Sequence, residues 1–260
     1  MSQPFISFII PVYNESQNIG NMLCNLHAVL DKNPQWNWEL ILIEDGSTDN
    51  TREIMLQEIQ KYPKSQLILH EKNQGYTASL KDGMLKSAGR YLMYIGADEE
   101  FDVTELPAFV DPLIHGEAQV ILGVRWQRNA YKLFRFFLSV IYIFFLNYLF
   151  HLRVNDYNWS QAWSRELFEK IQLRSRSLFV LPEIIIKAYD LKFKIKEIPS
   201  NHRGRKWGKS SLNMRIMGHA VVDALRFWQE RKLSTYQPLF SEKPFLSPLQ
   251  KVSSALKSSV

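Results

Sequence analysis

The chain holds one cysteine, Cys24, and a single thiol builds neither a disulfide framework nor a thiolate-rich zinc or iron–sulfur site. A reducing compartment fits, with the cytoplasm as the expected location. Also missing is a G-x-G-x-x-G turn: the first apolar run is followed by PVYNES. That removes a nicotinamide-dependent oxidoreductase from the classes that an alternating α/β start would suit. No internal repeat is present. Met1-Ser2-Gln3-Pro4 carries no positive side chain and the apolar stretch Phe5 to Ile10 is too short for the core of a secretory leader, so none is expected. The uncharged run from Phe136 to Phe150 has 15 residues, short of the roughly 20 that span a bilayer.

What is present describes a globular chain. Its 260 residues, 46% apolar and 22% charged, exclude intrinsic disorder and mini-protein scaffolds. The expected organisation is one domain over residues 1–230 and a C-terminal tail over 231–260, rich in Ser, Pro and Lys and without periodicity. A net charge of +6 and a pI of about 9.2 point to phosphate-bearing partners or an anionic membrane surface. Aromatic residues make up 13%, and many lie between Trp126 and Trp163.

Periodicity in the first half alternates between strand and helix. Phe5 to Ile10 reads as a buried strand that stops at Pro11; Ile19, Met22, Leu23, Leu26 and Leu30 fall at helical spacing within Glu15 to Leu30. Glu39 to Ile43 is a second strand, and Thr51 to Tyr62 a second helix with Ser47-Thr48-Asp49 as cap candidates. Leu67 to Leu69, Thr77 to Ser87 and Tyr91 to Ile95 repeat the pattern, which implies a mainly parallel sheet with helices on both faces. Ala118 to Val124 adds a strand. Later elements are a strand within Trp159 to Ser164, a helix from Ser177 to Tyr189 interrupted near Pro182, a strand at Lys192 to Lys196 and a helix from Leu212 to Gln229. Between the last two, PSNHRGRKWGKSS holds Arg203, Arg205, Lys206 and Lys209 with no acid of its own.

Residues 129–152 form an aromatic helix with Arg128, Lys132 and Arg135 at one end and Asn147 and His151 near the other. Such a helix lies in a headgroup layer or packs against protein, either its own domain or a second copy.

Polar clusters follow the strands directly, and ligands of open parallel sheets bind at the carboxyl ends of strands. They are Pro11-Val12-Tyr13-Asn14-Glu15, Glu44-Asp45-Gly46-Ser47-Thr48-Asp49 and Gly96-Ala97-Asp98-Glu99-Glu100. Each alone reads as a turn or a helix cap. Three acidic turns in register at one edge of a basic protein read as a site.

FIIPVYNES, ELILIEDGSTDNT and NQGYTASLKDGMLKSAGRYLMYIGADEE together resemble the family-2 inverting glycosyltransferases, and the later blocks resemble the dolichol- and polyprenyl-phosphate sugar transferase branch. The likeness runs from about Ser7 to Leu212. It implies a single GT-A-like, Rossmann-like α/β domain. Pro11, Tyr13 and Glu15 would hold the base and ribose of a nucleotide sugar, with Ile43 and Asp45 contacting the base from the second strand. Asp98, beside Ala97, falls on the last acid of the family's DxD motif, which binds Mg2+ or Mn2+ joined to the diphosphate, and Glu100 falls on a further metal position. Arg125 matches a diphosphate-side arginine, and Arg205, Gly208 and Ser210 match a late R-x-x-G-x-S loop, with Lys209 beside it. Asp98 and Arg205 are thus the implied catalytic residues.

The sequence departs from the pattern in four places. Gly96 stands for the first acid of DxD, so Glu99 or Glu100 must compensate. Ser211 stands where a lysine usually follows, leaving Lys209 or Lys206. YNWSQAW after Asp156 lacks the branch's Gly-Phe-Arg, and the paired transmembrane helices that end some members have no counterpart. The expected partners are a nucleotide-diphosphate sugar, a polyprenyl phosphate or other glycan acceptor, and an anionic membrane surface on its cytoplasmic face. A homo-oligomer is allowed and nucleic acid is not expected, because no nucleic-acid motif accompanies the basic loop. A hydroxyl acceptor would need a general base, for which Asp156 and Glu183 are candidates. A glycosyltransferase fold that binds without turnover is the alternative that Gly96 keeps open.

Overall fold

In the computed structural model, residues 3–127, 133–205, 207, 208 and 214–233 are described. Seven strands form one sheet: β1 (Ile6–Val12), β2 (Trp38–Glu44), β3 (Ser65–Leu69), β4 (Tyr91–Tyr94), β5 (Val120–Gln127), β6 (Gln161–Ser164) and β7 (Ile195–Asn201), in the order β3-β2-β1-β4-β6-β5-β7. The pairs β1–β2, β1–β4, β2–β3 and β5–β7 are parallel, whereas β6 runs against both β4 and β5. The helices are α1 (Ile19–Asp31), α2 (Thr51–Glu58), α3 (Tyr76–Lys86), α4 (Leu106–Ile114), α5 (Leu133–Phe150), α6 (Arg165–Phe168), α7 (Val180–Asp190) and α8 (Met214–Lys232).

Strand alternation divides the core. On β1 and β2, Ile6, Phe8, Ile10, Leu40 and Leu42 join α1, α2 and α4 on one face, while Ile9, Ile41 and Ile43 join α3, α5, α7 and α8 on the other. Successive residues of a strand point to opposite faces, and both faces are covered, so these strands read as continuous apolar runs. Trp163 of β6, fully buried opposite Leu92 and Val120, is the largest side chain of the second core.

Several boundaries differ from the sequence reading, each for a local reason. Pro11 lies inside β1. The carbonyl of Ile9 accepts from Ile95 on the β4 side, so Pro11, two residues on, turns its missing N–H to the same side, past the last β1–β4 pair at Tyr94. The first helix starts at Ile19 because the Glu15 N–H is taken by Thr51 Oγ1 and its carbonyl receives Asn18 and Ile19. Pro182 does not interrupt α7, since it occupies the first turn, where N–H groups have no helical partner. The last strand begins at Ile195 because Lys192 turns left-handed at φ 58° and Phe193 folds back, its N–H donating to Ala188. Pro199 to Asn201 therefore belong to β7 and not to the loop.

The aromatic helix is amphipathic in place. Tyr142, Leu146 and Phe150 are buried in the second core, while Phe137, Ile141, Phe144 and Tyr148 form an exposed stripe at helical spacing. Asn147 faces inward: its Oδ1 accepts from the Val154 N–H and the Tyr157 hydroxyl, fixing the chain that returns from α5. Among the described residues no helix is long and apolar enough to cross a membrane. Arg128 and Lys132 lie outside the described residues, as does the tail beyond Leu233; the last helix runs to Lys232, past the expected domain boundary.

Two substitutions test this packing. Trp163→Ala should lower unfolding free energy by about 3–5 kcal/mol, measured by urea denaturation. Pro182→Ala should change it by less than about 1 kcal/mol, as a first-turn proline requires.

Candidate functional site

The carboxyl ends of β1, β2, β4, β5 and β7 share one edge of the sheet, and because β6 is antiparallel its entry residues Asn158, Trp159 and Ser160 join them. A cavity of about 1400 Å3 opens there. Pro11, Tyr13, Glu15, Asp45, Ala97, Asp98, Glu100, Arg125 and Arg205 all line it. Ile43 does not: it is fully buried under α3, where a side chain at Gly83 would strike its Cδ1 at 2.7 Å. Its even-numbered neighbours face α1, so the strand's period turns Ile43 into the other core. Lys206, Lys209, Ser210 and Ser211 lie outside the described residues.

The first two turns are stitched to each other. Asn14, left-handed at φ 54°, donates its N–H to Ser47 Oγ at 3.0 Å and accepts the Thr48 N–H on Oδ1 at 2.8 Å. Asp49 accepts the N–H of Thr51 at 3.0 Å from one residue before the N-cap of α2, which is Asn50 and makes no side-chain capping bond, so none of Ser47, Thr48 and Asp49 is the cap. Asp45 does something else. Its Oδ1 accepts the Gln74 N–H and its Oδ2 the Gly75 N–H, each at 2.8 Å, drawing the segment before α3 across the end of β2. Gly46, at φ +65°, lies so close beneath that segment that a Cβ would sit 2.4 Å from the Lys72 carbonyl carbon.

The third turn carries the exposed end of the charge. Asp98 accepts from Arg205 at 3.2 Å, and Glu15 accepts from the same guanidinium at 2.6 Å and from Asn18 at 2.6 Å. The basic loop thus finds its acids across the cleft: Arg203 pairs with Asp102, and Arg205 bridges Glu15 and Asp98. An antiparallel bridge between Phe101 and His202 brings His202 Nε2 to 3.3 Å from Glu100 Oε2. Nothing in the spacing of the sequence singled out His202, because only tertiary pairing of the loop with the 98–102 turn places it there. Burial, and then the Glu100 carboxylate, push the Asp98 carboxyl above its ordinary range against the pull of Arg205. Burial raises Glu15 as well, opposed by Asn18 and Arg205.

Among the described residues no three His, Cys, Asp or Glu side chains converge into a ready-made cation cage. Asp98 and Glu100 nevertheless fit Mg2+ or Mn2+ of the kind that takes one or two carboxylates and draws its other oxygens from phosphate and water. Such an ion would relieve the burial and the Glu100 repulsion that disfavour the Asp98 anion in spite of Arg205. Arg125 is held more firmly than a mobile diphosphate clamp: Nε and a terminal nitrogen grip both oxygens of Asp156 at 2.6 and 2.7 Å, and the guanidinium lies 4.8 Å over the Trp159 ring. Glu183 accepts the Arg174 and Ser175 N–H groups and pairs with Lys187 at 2.5 Å.

Beyond the sheet edge the cavity continues between α5, α7 and α8, over Leu138, Tyr142, Leu178, Phe179, Met217 and Phe227. Arg174, Arg176 and Arg226 lie along it with Asp223 and Glu230. Asp223 Oδ2 accepts from the hydroxyls of Ser175 and Ser177, tying α8 to the segment before α7.

A mostly parallel sheet between two helical layers, with carboxylates gathered at its carboxyl edge, is the GT-A architecture. The chain belongs to Glycosyl transferase family 2, whose pattern it matches over residues 7–173. Glucosyl-3-phosphoglycerate synthase from Mycobacterium tuberculosis, solved with UDP, has the same fold at a TM-score of 0.65 and 18% identity, over 88% of this chain and 80% of that one. Dolichyl-phosphate beta-glucosyltransferase ALG5C of Trichomonas vaginalis is 35% identical over 133 residues, 48% of this chain and 39% of the relative. Dodecaprenyl-phosphate galacturonate synthase of Rhizobium johnstonii is 25% identical over 230 residues, 85% of this chain and 65% of the relative. The matched segments thus span less than two thirds of these two curated relatives.

A carboxyl raised on folding is disfavoured as the anion in the folded state, so its ionisation destabilises the fold above the ordinary aspartate value of about 3.9. Asp98→Asn should therefore raise the thermal midpoint at neutral pH without divalent cations. The gain should fade as pH falls towards that value, and melts across the pH range check it.

Proposed function

We propose that this protein transfers a sugar, with inversion, from a nucleotide-diphosphate sugar to a polyprenyl phosphate at a membrane surface. One observation carries the reading: a single cavity joins the acidic sheet edge to a groove between α5, α7 and α8 where apolar side chains such as Leu138, Met217 and Phe227 stand beside Arg174, Arg176 and Arg226. Its volume exceeds the roughly 300–1,000 Å3 of an ordinary small-ligand pocket, leaving room for a donor and an acceptor together. The names of the dolichyl- and dodecaprenyl-phosphate relatives support an amphiphilic acceptor.

In this reading Pro11, Tyr13, Glu15 and Asp45 hold the nucleoside end, Ala97 the backbone beside the diphosphate, and Arg205 donates to the leaving diphosphate, with Lys209 as a further basic contact. Asp98 and Glu100 would hold the divalent cation, which when bound neutralises the charge that develops as the sugar leaves. Arg125, fixed by Asp156, supplies a stationary positive charge at the cavity wall. A phosphate acceptor is already an anion and needs no base. That suits a site in which both base candidates are committed, Asp156 to Arg125 and Glu183 to Lys187. The exposed stripe Phe137, Ile141, Phe144 and Tyr148 supports docking on the cytoplasmic face of a membrane. A second copy covering the stripe is the competing arrangement. Gly96 favours one further reading, binding without turnover: it adds no acid, and a Cβ there would lie 3.0 Å from Asp98 Oδ1.

The test is transfer from labelled UDP- and GDP-sugars to a short polyprenyl phosphate with Mn2+. Asp98→Ala should abolish transfer, and Glu100→Gln should reduce it less. Asp45→Ala should weaken nucleotide binding by about 1–3 kcal/mol in a folded protein. Nucleotide binding with no transfer to any acceptor would favour the binding-only reading. In flotation, the protein should bind anionic liposomes in a salt-sensitive way; a protein that stays unbound and monodisperse at low salt is not a membrane-surface enzyme.

A further inference from the structure

His70 directly follows β3 and is buried, with carboxylates on both sides. Its Nδ1 lies 2.7 Å from Asp45 Oδ1, and its Nε2 lies 3.1 Å from Asp82 Oδ2 on α3. Its backbone is fixed as well. The His70 N–H donates to the Glu44 carbonyl at 2.9 Å, and the His70 carbonyl accepts from Arg52, whose Nε donates to Glu44 Oε2 at 2.6 Å. The imidazole does not line the cavity; Asp45 stands between. A carboxylate only accepts hydrogen bonds, so the ring meets either neighbour through an N–H on the nitrogen that faces it.

We infer that His70 is a positioning residue for donor recognition, a clamp between Asp82 and Asp45 that aims the Asp45 carboxylate into the nucleoside end of the cavity. The inference rests on the donor-site reading above. With His70 and Gln74 bonded to Oδ1 and Gly75 to Oδ2, one acceptor position of Oδ2 remains for a ligand N–H. Rotation of the carboxylate would break all three bonds, so the clamp keeps that position in place before the nucleotide arrives. Asp82, whose side chain is 42% exposed, anchors the far side of the ring from α3 and ties the clamp to the helix that starts at the same segment.

The two ring nitrogens can be replaced separately. In His70→Asn the amide takes the place of Nδ1 and keeps the Asp45 contact, whereas in His70→Gln it reaches towards Asp82 and leaves Asp45 without its donor. In calorimetric titrations with UDP and GDP, His70→Asn should bind within about threefold of the wild type. His70→Gln should bind about tenfold or more weakly, the size expected for one lost hydrogen bond to a charged group. In turnover the His70→Gln loss should fall on donor KM and leave kcat nearly unchanged. Asp82→Asn, a change at a partly exposed side chain, should give a smaller loss of affinity and decides the matter if His70→Gln fails to fold. Equal affinity of the wild type and His70→Gln, equal losses in the Asn and Gln variants, or, where that variant does not fold, an unchanged Asp82→Asn would overturn the clamp. A wild-type protein that binds neither nucleotide would overturn the donor-site reading, and this inference with it.

Discussion

Negative charge withdrawn from water at the carboxyl ends of parallel strands is the constraint on which the rest of this structure depends. Glu15, Glu44, Asp45 and Asp98 each stand at or just beyond a strand end, and Glu15, Glu44 and Asp45 are buried. A buried carboxylate is tolerated only when paired or hydrogen-bonded. Each therefore dictates what packs around it. Glu44 takes Arg52 from α2 and the Ser47 N–H. Asp45 takes two backbone N–H groups and His70. Glu15 and Asp98 share Arg205, which arrives from 190 residues away in the chain for Glu15. The loops of the site are shaped by this demand for donors.

The satisfaction is uneven, and the unevenness marks where a ligand belongs. Asp45 and Arg125 sit in rigid settings, each held by several hydrogen bonds. Asp98 and Glu100 remain too close for comfort, so that burial and repulsion hold Asp98 towards its neutral form. Stability is sacrificed there, as at many functional sites, and in the proposed function a bound cation and diphosphate would complete the charge arrangement.

The aromatic helix α5 shows how one element serves core and surface together. Its inner residues stack against the second core, Phe150 meeting Phe179 and Phe227 at 6.1 and 5.8 Å. Its outer stripe stays uncovered, and its lumen side walls the groove that leads from the acidic edge. Length and composition alone read this helix as either interfacial or packed, because an apolar face looks the same in a sequence whether lipid or protein covers it. In the fold one face of the helix is packed into the core and the opposite face is exposed.

Much of the fold was legible because its signals are local. The buried runs of β1 and β2, the helical spacing of Ile19 to Leu30 and the acidic turns after three strands are set by periods of two and 3.6 residues that a linear reading detects. So was the gathering of most candidate residues: Pro11, Tyr13, Glu15, Asp45, Ala97, Asp98, Glu100, Arg125 and Arg205 line one cavity. The sequence alone determined the doubly covered sheet, the edge that gathers the acidic turns and the family pattern of the motifs. Only tertiary structure decided that Arg125 is gripped by Asp156, that the loop cations Arg203 and Arg205 find acids in the turns after other strands, and that His70 and His202 stand beside Asp45 and Glu100. These depend on pairings between residues 25 to 190 positions apart. Side chains so far apart meet only after the sheet has brought its strand ends together, and no periodicity in the sequence records that meeting.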